Sequence, residues 1–172
     1  VKPGTCLAVF AGKDAVLSGA AQTVDDASGG AIGRAIKATR FEGDVAQIVE
    51  VLAPAGSEAS RVLVVGTGKP GHADAAVFER IGGAIAAKLL TSGETEATVD
   101  FEGISDLAVK TAQAAAHLAL GAALRAYQRS RSVSAATLHL LKARFQTRSM
   151  GNRPLKGVAK EIELFAVDAA VA

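Results

Sequence analysis

DDASGGAIGRAIKATRFEGDVAQIVEVLAPAGSEASRVLVVGTGK, residues 25–69, decides how this chain folds. It runs from a paired glycine through an amphipathic segment to a short connection, Phe41-Glu42-Gly43, and then to two apolar stretches. Ser28 can cap a helix from Gly29 to about Thr39, since a serine oxygen satisfies an amide in the first helical turn. Ile32, Ala35 and Ile36 then share one face. Gly43 sits in the turn that follows. Gln47–Ala53 reads as a strand broken by Pro54-Ala55-Gly56. Arg61–Val65 reads as a second, wholly apolar strand ending at Gly66.

The same reading extends outward. Thr5–Ala11 is predicted as a buried strand, whereas Asp14–Gly19 is too short to classify. Asp74 is placed to cap a helix through Leu90 whose apolar face uses Val77, Ile81, Ile85 and Leu89. Ala97–Phe101 is a short strand. Asp106 can cap a long helix to about Tyr127. Glu161–Val167 alternates and then runs apolar, as a strand near a sheet edge does. Ala135–Leu141 fits a strand or a helical turn, and residues 142–157, KARFQTRSMGNRPLKG, read as a basic loop. Strands alternating with helices define an α/β domain with its sheet between helices.

The 172 residues fit a single domain, 1–172, long enough to bury a core. Hydrophobic residues make up 49% and aromatics only 4%, so the core must be built from Ala, Val, Leu and Ile. Cys6 is the single cysteine, which rules out a disulfide within the chain and favours a reducing compartment. Its place in the apolar run CLAVF makes it a buried strand residue. No run approaches the ~18 apolar residues of a membrane-spanning helix. VKPGTC does not form a signal peptide.

Net charge is only +2, but it is unevenly spread. Residues 107–160 hold ten basic and no acidic residues, while residues 1–106 carry a net −5 and residues 161–172 a net −3. Arg125, Arg129, Arg131, Lys142, Arg144, Arg148, Arg153, Lys156 and Lys160 form a candidate contact set for polyanions or for acidic protein surface. Aromatic interleaving is limited to Tyr127 and Phe145, so stacking on single-stranded nucleic acid is not expected. Three readings of this set stay open: a face meeting acidic groups of a neighbouring domain or subunit, a salt-sensitive nucleic-acid face, or solvated surface.

Catalytic patterns are absent. GTGKPG (66–71) matches G-x-G-x-x-G literally. A dinucleotide loop, however, places its third glycine at the helix start. Here Pro70 precedes Gly71, and the helix cap comes later at Asp74. A turn at a strand end fits better. His72, His117 and His139 have no partner at metal-ligand spacing. His117 reads as a packed or half-exposed helix residue and His72 as a solvated turn residue. The sequence holds no G-x-S-x-G. The pairs Asp25–Asp26 and Glu94/Glu96 read as solvated surface.

The order of these segments resembles the N-terminal domain of the leucyl aminopeptidase (cytosol aminopeptidase) family. The residues carrying it are SGGAIGRAIKATRFEGD (28–44), RVLVVGTGK (61–69), VFERIGGAIAAKLL (77–90), AAHLALGAALRAY (115–127) and VAKEIELFAVD (158–168). Residues 128–157 depart from it: the family runs on into an Arg-Phe-Asp-x-Tyr type segment that is missing here. The resemblance implies a macro-domain-like, three-layer α/β sandwich with a mixed, mostly parallel sheet. In that family Lys, Asp and Glu side chains of a C-terminal domain hold two divalent metals, zinc or manganese, near an Asn-Thr-Asp-Ala-Glu-Gly-Arg signature. No such signature occurs in this chain, so no catalytic, metal or cofactor residue carries over. The resemblance implies an accessory domain whose partners are its own catalytic domain and the other subunits of a homohexamer, in the cytoplasm. It would help assembly and restrict access to the active sites. Two other readings remain: a stand-alone module holding a nucleotide or ADP-ribose near Gly66–Gly71, and a nucleic-acid-binding domain using residues 125–160.

Overall fold

A computed structural model describes residues 4–94, 96–104, 107–130, 145–153 and 162–170, with side chains as far as residue 126. The chain divides into two compact units, residues 1–125 and 126–172.

Strand β1 (Cys6–Ala11) and strand β3 (Arg61–Gly66) form the centre of the sheet in the first unit. They run parallel, from Cys6 opposite Arg61 to Ala11 opposite Gly66. Strand β2 (Ile48–Leu52) flanks β3 antiparallel, and the short β4 (Ala97–Val99) flanks β1 in parallel. The resulting order, β2-β3-β1-β4, is mixed and mostly parallel. Central strands covered on both faces must be apolar at every position, which is why CLAVFA and VLVV are unbroken hydrophobic runs.

Alternate residues of these strands feed two cores. Cys6, Ala8, Phe10, Leu63 and Val65 face α3 (Ala75–Leu89) and α4 (Thr111–Ser130), meeting Phe78, Ile81, Ile85, Ala114 and Leu118. Leu7, Val9, Ala11, Val62 and Val64 face α1 (Gly19–Ala27) and α2 (Ala31–Thr39), meeting Ala20, Ala21 and Ile32. The unit is thus a three-layer α/β/α sandwich, as the sequence leads one to expect. Phe10, Phe78 and Phe101 supply the aromatic centre of the first core, with ring centroids 5.2–6.3 Å apart.

The α1 segment was not legible as a helix, and its presence corrects the role expected of Ser28. Ser28 ends α1, its N–H donating to Val24 O at 3.0 Å and its hydroxyl to Asp25 O at 3.1 Å. Gly29 and Gly30, at φ +63° and +82°, make the tight turn into α2. The cap of α2 comes from Asp25, whose Oδ1 accepts the Gly33 N–H at 2.9 Å. A carboxylate in the last turn of one helix therefore satisfies the open amide of the next. Asp74 does cap α3, accepting the Val77 N–H at 2.9 Å. Asp106, expected to cap α4, lies outside the described residues; that helix begins at Thr111, where Gln113 Oε1 accepts the Lys110 N–H at 3.3 Å.

Helices α3 and α4 cross at backbone contact. A Cβ added at Gly82 would overlap the Leu118 carbonyl oxygen, and one at Gly121 would overlap that of Glu79. Glycine is required there because no other residue lets the two backbones meet.

The second unit contains an antiparallel ribbon of β5 (Phe145–Arg153) and β6 (Ile162–Ala170). This corrects the basic loop expected over residues 142–157, of which 145–153 are strand. The polar segment FQTRSMGNR has little strand character alone; pairing with the apolar IELFAVDAA supplies the ladder. The Ala135–Leu141 segment lies outside the described residues.

Candidate functional site

The loops that leave the carboxyl ends of β1, β3 and β4 enclose a cleft of ≈ 220 Å³. Open α/β sheets present ligands with a crevice at this end. Phe10, Val16, Leu17, Pro70 and Ile104 give it an apolar lining, interrupted by Lys13, Ser18 and Thr67. Val16 stands at the rim with 65% of its surface exposed.

The polar groups of the wall bond to the protein itself. The N–H groups of Gly12, Lys13, Ser18, Thr67 and Gly68 donate to the carbonyls of Val16, Gly68, Phe10, Ala11 and Gly43 respectively. The Ser18 hydroxyl donates to Phe10 O at 2.7 Å and the Thr67 hydroxyl to Ala11 O at 3.2 Å. Lys13 Nζ pairs with Asp44 at 2.8 Å and Glu42 at 3.1 Å. Those hydrogen bonds, Asp44 first, hold its pKa above the ordinary lysine value. The N-terminus of α1 meets the loop that follows β4. Gly103 packs on Gly19, where a Cβ on Gly103 would overlap the Gly19 nitrogen, and Ala20 N–H donates to Glu102 O.

GTGKPG forms a turn and not a phosphate loop. Thr67, Gly68 and Pro70 line the cleft, but α3 starts only at Ala75. Gly68 adopts φ +79° against Val45. His72 is exposed, and His117 bonds Glu79 Oε1 at 2.8 Å across α3 and α4. His139 lies outside the described residues. Among the described residues no three His, Cys, Asp or Glu side chains come together as a metal site. Nor is any helix among them long and apolar enough to cross a membrane.

Two carboxylates expected at the solvated surface are structural. Asp25 caps α2, as described. Glu94 accepts from Ser60 at 2.6 Å and Arg61 at 3.1 Å, and Arg61 and Lys88 also hold Glu50. Both acids are kept below the usual carboxylate range, Glu94 chiefly by the Ser60 hydroxyl and Glu50 chiefly by Lys88. Arg61 and Glu94 are 33 residues apart, so no local spacing could reveal the pair. Beneath the cluster Cys6 is fully buried, and burial pushes its thiol up to about 11, with Glu94 adding to the rise.

Of the nine candidate contact cations, Arg125 is exposed on α4 and Arg129 lies further along it. Arg148 and Arg153 fall in β5, at register with Ala166 and Ile162 of β6. Arg131, Lys142, Arg144, Lys156 and Lys160 lie outside the described residues.

The first unit is thus a three-layer α/β/α sandwich with a cleft at the carboxyl ends of its strands. Residues 7–135 match the cytosol aminopeptidase family, N-terminal domain, and the chain belongs to that family. It is 35% identical over 125 residues to a probable cytosol aminopeptidase of Caulobacter vibrioides, a match covering 71% of this chain but 23% of that protein. The chain thus spans about a quarter of the curated relative's length. Among solved structures it is similar to a tomato leucine aminopeptidase mutant, with TM-score 0.57 and 21% identity over 72% of this chain and 25% of that one. A bottromycin maturation enzyme, BotP, in complex with Mn gives TM-score 0.53 at 21% identity, over 72% and 23% of the two chains. The macrodomain of Mycobacterium tuberculosis DarG gives TM-score 0.56 at 13% identity, over 73% of this chain and 82% of that one. These structural likenesses establish the macro-domain-like fold.

Proposed function

We propose that this chain is the non-catalytic N-terminal domain of a cytoplasmic aminopeptidase, and that it serves assembly of the enzyme and access to its active sites. The parent polypeptide would release N-terminal amino acids from peptides with two divalent metals, zinc or manganese, held by a separate catalytic domain. The observation that carries this reading is the family match over residues 7–135, set beside the lack of any three-ligand cluster among the described residues. The described residues do not fit the metals, so no step of the hydrolysis runs through them.

The partners in this reading are the parent's catalytic domain and neighbouring subunits of a hexamer. Arg125, Arg129, Arg131, Lys142, Arg144, Arg148, Arg153, Lys156 and Lys160 would meet acidic groups on those partners. The β5–β6 ribbon fits this role, because a two-stranded sheet is at best marginally stable until something packs on it.

The test has two arms. The isolated chain, supplied with zinc or manganese, should not hydrolyse leucine amide above the metal-only control; clear turnover would overturn the reading. Deleting this domain from the parent enzyme should lower its oligomeric state on a sizing column with light scattering. An unchanged hexamer would remove the assembly role.

A further inference from the structure

The cleft at the carboxyl ends of β1 and β3 has a chemistry of its own, independent of the aminopeptidase reading. Phe10, Val16, Leu17, Pro70 and Ile104 make its wall largely apolar, and Val16 is 65% exposed. Hydrocarbon laid against such a wall takes apolar surface out of water on both sides of the contact, which is favourable. Size sets what fits. An apolar cavity of ~150 Å³ holds benzene, whereas drug-sized ligands need about 300 Å³ or more. At ≈ 220 Å³ the cleft admits a body somewhat larger than benzene and is too small to enclose a nucleotide.

Hydrogen bonding and charge narrow the choice further. The amides of Gly12, Lys13, Ser18, Thr67, Gly68 and Ile104 all donate to carbonyls of the protein, so the wall offers few donors to an anion. The Ser18 and Thr67 hydroxyls also donate inward, to Phe10 O and Ala11 O, and each keeps lone pairs that can accept. Lys13 is the one charged residue among the described lining, and its ammonium already meets Asp44 at 2.8 Å and Glu42 at 3.1 Å. An anion would have to compete with those carboxylates for Lys13, and a cation finds no carboxylate among the described lining residues. A charged group brought here gives up water without gaining a free counter-charge, which costs free energy.

We propose that this cleft is a binding site for a small uncharged molecule, an arylalkyl or branched alkyl alcohol of about nine non-hydrogen atoms. Its hydrocarbon lies against Val16, Leu17 and Ile104, and its hydroxyl donates to the side-chain oxygen of Ser18 or Thr67. A formal charge of either sign on the ligand weakens binding.

The probes are phenethyl alcohol, phenethylammonium and hydrocinnamate, which share one hydrocarbon body and differ in charge, together with ADP-ribose. Each is titrated into the isotopically labelled 172-residue chain while amide and methyl shifts are followed. Phenethyl alcohol should give saturable shifts at Val16, Leu17, Gly68 and Ile104. Both charged probes should bind about tenfold more weakly or not at all, since a charged head that loses water without a partner forfeits roughly that factor. Val16→Lys, at an exposed position where folding is not at stake, should weaken binding of the alcohol several-fold. Leu52 is as exposed, at 64%, but pairs with Arg61 at the opposite end of the sheet, so Leu52→Lys should leave binding unchanged. Binding of either charged probe as tight as that of the alcohol, saturation of the same residues by ADP-ribose, equal losses in the two variants, or no saturable shift with the alcohol would each overturn the proposal.

Discussion

Gly82 and Gly83 are neighbours in α3, and replacing each by alanine should move stability in opposite directions. A Cβ at Gly82 would lie 2.8 Å from the Leu118 carbonyl carbon and 3.0 Å from the Ala122 nitrogen, besides overlapping the Leu118 oxygen. These are backbone atoms, with no rotamer to move aside. Restoring an ordinary 3.4 Å separation from the Leu118 carbon alone demands a shift of 0.6 Å between α3 and α4, and the oxygen demands more. A gap of ~0.5–1 Å already forfeits a quarter to a half of each dispersion contact along the crossing. Overpacking of this kind costs about 3 kcal/mol. Alanine's better helix propensity returns about 1 kcal/mol, leaving a net loss near 2 kcal/mol. At Gly83 the added Cβ would meet only the Gly121 oxygen at 3.7 Å, an ordinary contact. There the propensity gain of up to about 1 kcal/mol stands almost alone.

Thermal unfolding followed by circular dichroism measures both effects. For a chain of this size Gly82→Ala should lower Tm by roughly 4–8 °C, whereas Gly83→Ala should raise it by up to about 4 °C. If the two variants shift the same way, or if Gly82→Ala is neutral, then α3 and α4 do not meet through their backbones and the packing argument fails.

Asp25→Ala should cost about 1 kcal/mol, a typical capping loss, and Ser28→Ala clearly less, because Asp25 holds the Gly33 amide; the reverse order in urea midpoints would restore Ser28 as the cap. Cys6, with its thiol pushed to about 11, should not react with a disulfide reagent at pH 8 until denaturant is added, and fast labelling of the native chain would contradict its burial. Glu50 and Glu94 have folded pKa values below their unfolded ones, near ~4.3. Their stabilisation is therefore complete above that pH and lost as pH falls through the lower folded values. Glu94→Gln should flatten that acid limb in unfolding measured at successive pH values, and an unaltered limb would mean that Glu94 takes no part in it.

Most of the sandwich was legible because its signals are local. The runs CLAVFA and RVLVVG announce strands buried on both faces, and Asp74 sits one residue before the helix that it caps. What escaped depends on partners distant in the chain. The α1 segment GAAQTVDDA buries Ala20 and Ala21 but no large residue, so few bulky apolar side chains mark its inner face. The polar segment that becomes β5 is a strand because of its pairing with β6. Neither Ser28 nor Asp25 announces which of them reaches the Gly33 amide; the Gly29–Gly30 turn decides it by setting how α1 leads into α2.

The sequence by itself determined the α/β class, the two central strands, the uneven charge, and the lack of any catalytic signature, since each of these is written in neighbouring residues. Tertiary structure alone decided where Glu94 and Arg61 meet, why Gly82 and Gly121 admit no side chain, and that loops from three strands enclose a largely apolar cleft. Those features arise from residues tens of positions apart, and only the folded sheet brings such residues together.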